Sequence, residues 1–427
     1  MKTSNQDHLN KIGSVASIVL AGGQGTRLQP LTTMRCKPAV SFAGRFRLID
    51  IPISNSLNSQ IHQIFIISQY LADSLQHHID DTYSPSSFHK GDLHILCPNQ
   101  SSHGDNWFKG TADAVRKNWD ELEKTPVEYF LILSGDQLYN IDFVSMIEFA
   151  KKTHADLVIA SLPVEEKDAK RMGLLKVSEE GRILDFYEKP QDPEILEKFQ
   201  FPNKLPSEKK YLGSMGIYVF KKEILGKLLK ENGDDFGHDL IPLKVRKGNS
   251  FAFIYNGYWE DIGTIESFYH ANLALTEQKK ARLDIYDEKN PIYSKNECLP
   301  DALIQGTKVS GSIISAGSII EAKEIHHSVV GVSTKIHKGT VIKDSVILGN
   351  HFYPETCSKE NSLTTYFSIG ENCIIEKAII DEHTFIGNNV RLINQNKLTR
   401  YDGDGIYIRD GIIVVPSGTK IPDGFTL

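Results

Sequence analysis

From Ser17 to about Leu275, short apolar runs alternate with longer amphipathic stretches, the pattern of a mostly parallel sheet with helices on its faces. The β-rich runs predict strands at Ser17–Leu20, Ile64–Ile67, Tyr129–Leu133, Leu157–Ala160, Ile217–Phe220 and Phe251–Tyr255. Between them Ala112, Val115, Trp119 and Leu122 recur at helical spacing, and Thr264–Leu275 places Ile265, Phe268, Tyr269 and Asn272 on one stripe. After the polar stretch Thr276–Asn290 the texture changes to short Ile/Val pairs separated by Gly, Asp, Asn, Ser and Lys. Apolar residues there recur every six positions: Ile313, Ile319, Ile325; then Val330, Ile336, Ile342, Leu348; then Ile374, Ile380, Ile386, Leu392. Six is the period of neither a strand nor a helix. It suits a β-solenoid, whose coils turn through three flat faces, each sending one aliphatic side chain inward. A β-sandwich with chance spacing is the alternative, and three separately phased runs disfavour it. The coils are expected to be interrupted at Asn350–Tyr366, and the regular outer side of a solenoid suits self-association. The predicted division is an α/β domain over 14–278 and a solenoid over 290–427.

Size agrees with two domains, because 427 residues exceed the ~250–300 at which single cores stop growing. No run of about 18 apolar residues is present to cross a bilayer, and Met1–Gly13 lacks the apolar segment of a secretory signal. A cytoplasmic protein without a membrane partner is expected. The net charge of -6, from 48 basic and 54 acidic residues, supplies no field to gather nucleic acid, so any phosphate site must be local. Five cysteines without a CxxC pair support neither a disulfide framework nor a zinc knuckle, and buried free thiols are expected.

The strongest local signal is Leu20-Ala21-Gly22-Gly23-Gln24-Gly25-Thr26-Arg27-Leu28, directly after the first strand. Glycines at the carboxyl end of a strand let backbone N–H groups approach a phosphate or base, and Arg27 adds a planar cation. A dinucleotide fingerprint requires a third glycine where Leu28 stands, and a Walker loop requires Gly-Lys-Ser/Thr; neither is spelled here. Asp136 lies just beyond the apolar run Phe130–Leu133, on the sheet edge that the glycine loop shares, and suits Mg²⁺; an aspartate in that place also serves as a turn or helix cap. Asp261, in Tyr258-Trp259-Glu260-Asp261-Ile262-Gly263-Thr264, either completes a metal site or caps the helix that follows. Lys189, before Pro190, is either a positioned cation or an ordinary solvated lysine. Trp107-Phe108 precedes a helix start near Gly110 and Thr111, where free N–H groups could meet a nucleotide; core packing of Trp107 is the alternative. His77-His78 and His326-His327 lack ligand partners at useful spacing and read as structural histidines.

Taken together, LAGGQGTRL, Lys37-Pro38-Ala39, NWFKGTADAV, LSGDQLY, FYEKP, SMGIYVF, YWEDIGT and the hexapeptide tail closely resemble the ADP-glucose pyrophosphorylases, from about residue 15 to the end. The resemblance implies a Rossmann-like, GT-A-like nucleotidyltransferase domain followed by a left-handed parallel β-helix, assembled as a homotetramer. It implies transfer of the adenylyl group of ATP to glucose 1-phosphate, with Mg²⁺, in glycogen or starch synthesis. Residue by residue, it implies Asp136 as the essential metal-binding acid assisted by Asp261, with Arg27 and Lys37 on the nucleotide phosphates. It places Gly22, Gly23, Gly25, Thr26, Gln69, Gly110 and Thr111 around the nucleotide, and Phe108, Gly173, Glu188, Lys189 and Ser214 around the sugar phosphate. Phe108 stands where bacterial relatives often carry tyrosine, so a hydroxyl contact is lost. Arg35, Arg47 and Arg409 are the implied seats of an anionic effector, while Met34 and Glu376 replace lysines of relatives, so altered or weak activation is expected. The competing readings are a nucleotidyltransferase for another base, a non-catalytic regulatory subunit and a hexapeptide acyltransferase. Retention of Arg27, Lys37, Asp136 and Lys189 together argues against a scaffold, which has no electrostatic need of them.

Overall fold

Val15–Leu20 (β1) is buried along almost its whole length, and its single polar side chain, Ser17, is matched by the Ser56 hydroxyl at 2.8 Å. Such a strand belongs inside a sheet covered on both faces. In the computed structural model, which describes residues 14–83, 92–98, 107–201, 209–277, 282–295, 298–350 and 367–427, β1 pairs in parallel with Gln63–Ile67 (β2) and with Tyr129–Ser134. Asp92–Leu96 (β3) extends the parallel side beyond β2, and Tyr129–Ser134 is β4. The sheet continues through Leu157–Val164 (β5), Gly173–Val177 (β6), Ile183–Glu188 (β7), Tyr211–Lys221 (β8) and Ser250–Ile254 (β9). Its main path runs β7-β6-β8-β4-β1-β2-β3, with β5 on β8 and β9 on β5. Only β7 and β8 oppose the direction of the other seven strands. All six predicted strands are present, each lying within or overlapping one of these.

The helical repeat from Ala112 to Leu122 is two helices, Thr111–Lys117 and Trp119–Leu122, broken at Asn118. The Asn118 amide donates back to the Ala114 carbonyl at 2.8 Å, a local bond that competes with continuing the helix. The stripe Ile265, Phe268, Tyr269 and Asn272 is buried as expected, on the helix Ile265–Ala274. Segment 282–295 runs back over this domain, where the Tyr293 N–H donates to the Ser54 hydroxyl at 2.9 Å and Lys295 pairs with Asp81 at 3.1 Å.

The C-terminal part stacks short parallel strands into the expected solenoid, with a correction to its phase. Leu303 pairs with Ile319, sixteen residues on, and Glu324 with Val341, seventeen on, whereas three six-residue faces would make about eighteen. Counting by six therefore drifts. Ile325, Val330, Ile336, Ile342, Ile380, Ile386 and Leu392 do join the interior, but Ile313, Ile319, Leu348 and Ile374 do not; their neighbours Ile314, Ile320, Ile347 and Ile375 do. The expected interruption lies, beyond Asn350, outside the described residues.

One face of the solenoid carries an unbroken column of doubled aliphatics. In Val329-Val330, Val346-Ile347, Ile379-Ile380 and Val414-Val415 the second member fills the solenoid, while the first packs into the core of the α/β domain. On the other faces the outward neighbours are mixed: Lys335 beside Ile336, Lys420 beside Ile421, Glu324 and His326 beside Ile325 and Lys343 beside Ile342 are polar, while Ile319, Ile374 and Phe385 are half-buried there. The hairpin Ser41–Phe42/Phe46–Arg47 completes the seam. Its tip residues Ala43 and Gly44 take φ of 54° and 79°, the Gly44 carbonyl accepts the Val332 N–H at 2.9 Å, and a Cβ on Gly44 would stand 2.5 Å from Ser315 Oγ.

Cys36 and Cys373 are buried free thiols, but Cys97 and Cys298 are exposed, which corrects the expectation for those two; Cys357 lies outside the described residues. Among the described residues no helix is long and apolar enough to cross a membrane.

Candidate active site

β1 ends at Leu20 and β4 ends at Ser134 in register with it, so the glycine loop and Asp136 leave the sheet side by side. Asp136 caps no helix. Its carboxylate accepts the Lys37 ammonium at 2.5 Å and the Ser134 hydroxyl at 2.5 Å. Lys37 is carried by the short 3-10 turn Lys37–Ala39 and is nearly buried. Gly25 makes room for its stem: at φ 64° the residue is left-handed, and a Cβ there would lie 3.0 Å from Lys37 Cβ.

Asp261 arrives on a two-stranded ribbon in which Trp259–Asp261 runs antiparallel to Gln137–Tyr139, with Asp261 opposite Gln137. The Ile262 N–H donates to the Asp136 carbonyl at 3.1 Å, which sets the two acids together. The capping alternative for Asp261 falls, since Thr264 caps the following helix by accepting the Ser267 N–H at 3.1 Å. Burial, and after it the charge of Asp136, pushes the Asp261 carboxyl above the usual aspartate range, with Lys37, Arg27 and Arg171 pulling the other way. Arg27 shares this corner: a Cβ on Gly263 would stand 3.5 Å from Asp261 Oδ2 and 3.6 Å from Arg27 Nη1.

The opposite wall is built by the antiparallel pair β6–β7, which sets Gly173 against Glu188, and by Leu174 against Gly213 of β8. A Cβ on Gly173 would lie 2.7 Å from Glu188 Oε2 and closer still to the Phe186 ring, so glycine leaves room for both side chains. Lys189 adopts φ 47°, an unusual conformation for a side-chain-bearing residue and one that collects at functional sites. Its N–H is held by the Met172 carbonyl at 3.1 Å, and its ammonium, 3.2 Å from Glu188, is 62% exposed at the cleft. Ser214 lies beside the bulge of β8 and accepts the Gly216 N–H at 3.2 Å.

These walls enclose a cleft of about 930 Å³ lined by Gly22, Gly23, Arg27, Lys37, Gln69, Phe108, Gly110, Thr111, Asp136, Gly173, Glu188, Lys189, Ser214 and Asp261. The volume suits a ligand of nucleotide size. Gln69 is engaged at both ends of its amide, donating to the Gly22 carbonyl at 2.8 Å and accepting the Phe108 N–H at 2.8 Å. Gly25 and Thr26 stand behind the lining. The helix start at Thr111 does not offer the free N–H groups expected of it: those of Ala112 and Asp113 donate to the Asp234 carbonyl at 2.8 and 3.0 Å, and the Thr111 hydroxyl donates to Asp235 at 2.9 Å.

Arg35, Arg47 and Arg409 lie elsewhere. Arg35 is paired with Asp381 and Glu382 of the solenoid, and Arg47 lines a second cavity, of about 400 Å³, between the domains with Arg45 and Lys295. Arg409 sits on the strand Ile406–Arg409, 2.5 Å from Asp402. Sequence reasoning missed the cleft residues Arg171, Tyr218, Phe236 and Gly237, which sit in a turn, in the strand β8 and at the start of the π-helical turn Phe236–Leu240. It also left Trp107 open; the indole is not core but stacks on Tyr70 at 4.6 Å between ring centres and stays 41% exposed.

Residues 16–278 match the family described as Nucleotidyl transferase, and residues 297–426 match the GLGC left-handed parallel beta-helix domain. A nucleotide-sized cleft in the first and a left-handed solenoid after it define a sugar-phosphate nucleotidyltransferase, an enzyme. The chain belongs to the nucleotidyl transferase family, with an architecture of the ADP-glucose pyrophosphorylase type.

Proposed function

We propose that the chain transfers the adenylyl group of ATP to α-D-glucose 1-phosphate, forming ADP-glucose and pyrophosphate for glycogen or starch synthesis. The observation that carries this reading is the Lys37–Asp136 pair at 2.5 Å, facing Asp261 on one side of a cleft whose other wall holds Glu188 and Lys189. The choice of adenine and glucose is supported by the combined motif spelling and by the GLGC-type solenoid.

Direct transfer needs no covalent nucleophile on the protein. An oxygen of the sugar phosphate bonds to the α-phosphorus, the bond from that phosphorus to the pyrophosphate oxygen breaks, and the configuration inverts. The obstacle is repulsion between two polyanions, which fixed cations lower. Lys37 and Arg27 serve the nucleotide side and Lys189 the sugar phosphate. The donor set fits Mg²⁺: Asp136 and Asp261 offer hard carboxylate oxygens whose mutual repulsion a dication relieves, and substrate oxygens and water complete such a shell. When bound, Mg²⁺ would neutralise charge building on the phosphates. The homotetramer belongs to the same proposal, supported by the exposed Leu303, Ile304 and Val309 of the first coil.

The test is pyrophosphate release from a panel of ATP, UTP, GTP and dTTP against several sugar 1-phosphates, for the native chain and Asp136→Ala. ATP with glucose 1-phosphate is expected to lead the panel. The variant should keep its circular dichroism and lose about 10²-fold or more. A preference for another nucleotide overturns the substrate assignment, and silence across the panel overturns the activity. Added 3-phosphoglycerate should leave the rate close to unchanged, because an effector must compete with the carboxylates already on Arg35.

A further inference from the structure

The segment that delivers Lys37 to the cleft is gripped from behind by the solenoid. Arg35, two residues earlier, is 6% exposed, and its guanidinium pairs with Asp381 and, at 3.0 Å, with Glu382. Burial works against that charge, but the two carboxylates outweigh it and hold the guanidinium protonated. Glu382 also accepts the Ser41 hydroxyl and lies 4.0 Å from Arg47. Both acids follow the solenoid strand Ala378–Ile380, and solenoid backbone fixes the Asp381 carboxylate: the Ser417 N–H donates to Asp381 Oδ2 at 3.2 Å, and the Glu382 N–H to Asp381 Oδ1 at 2.7 Å.

The gripped stretch has little rigidity of its own. Between Arg35 and Arg47 it contains one 3-10 turn and a pair of two-residue strands. A buried ion pair is a weak source of net stability, since apolar residues often replace it without loss, but it fixes geometry where removal of one partner leaves a charge stranded. Two anchors on a short, irregular segment define where its middle stands.

We propose that Asp381 and Glu382 are positioning residues for Lys37: by holding Arg35, Ser41 and Arg47, the solenoid sets the place of the Lys37 ammonium against Asp136. The kinetic consequence rests on the proposed nucleotidyl transfer; the placement of Lys37 does not.

The experiment uses the full-length chain with Asp381→Asn, Glu382→Gln and the charge-conserving Glu382→Asp. Amine labelling by acetic anhydride is followed by mass spectrometry at Lys37 and at Lys244, a buried lysine of the same domain paired with Asp156 at 3.1 Å. The neutral variants should label Lys37 about tenfold faster or more, the scale of a local opening, with Lys244 unchanged and Glu382→Asp recovering part of the protection. With the substrate pair that the native chain uses, kcat should fall about ten- to a hundredfold, and KM should rise for the nucleotide more than for the sugar phosphate. Labelling of both lysines in parallel, no change at Lys37, or a fall in rate with both KM values intact overturns the proposal. A native chain that turns over no pair defeats the proposed function instead, and the labelling then decides the positioning by itself.

Discussion

Asp261 shows how position alters an ordinary aspartate. Burial first and Asp136 second raise its carboxyl above the usual range, so protons hold it to a higher pH than the ~3.9 of a free side chain. Mg²⁺ binds only the ionised form and competes with those protons. The acid limb of pyrophosphate release should therefore lie above the ordinary aspartate value and move to lower pH as Mg²⁺ is raised; a limb indifferent to Mg²⁺ in a pH–rate series counts against a carboxylate metal site. Asp136 and Lys37 were legible in the sequence because each sits in a spelled motif at a strand end or turn. The role of Trp107 was not, because an indole beside a turn can stack on any neighbour, and Tyr70 reaches it only after folding.

Among the elements, strands and helices were readable since their periods are local. The coil was readable in kind but not in phase: sixteen- and seventeen-residue registers shorten a corner that six-residue counting assumes regular. A continuous column of doubled aliphatics, from Ile313-Ile314 to Val414-Val415, carried more information than the period, since outward apolar side chains stacked on one solenoid face need something apolar to cover them. Val346 is fully buried against the α/β domain, whereas Lys420, beside the inward Ile421, is exposed. Val346→Ser should lower stability by about 1.5–3 kcal/mol, the worth of a buried valine, while Lys420→Ser stays within about 0.5 kcal/mol. Thermal or urea melts of the two variants check this, and equal effects would mean that the seam contributes little.

Across the whole molecule the two domains share one apolar cluster and one buried ion-pair network, so the α/β domain alone carries an uncovered face. A fragment of residues 14–290 should aggregate or melt without cooperativity, and the native chain is expected to sediment as the proposed tetramer; a monomeric, cooperative fragment in size-exclusion and sedimentation runs contradicts the first statement, and a native monomer the second. By itself the sequence determined which elements form and which loops line the cleft, because hydrophobic period, glycine placement and strand-end spelling act over a few neighbouring residues. Only the tertiary structure decided which solenoid face docks, where the coil phase slips, and that Arg35 is taken by Asp381, a partner 346 residues away. Charges so far apart in the chain meet through packing geometry, and no local pattern encodes the distance between them.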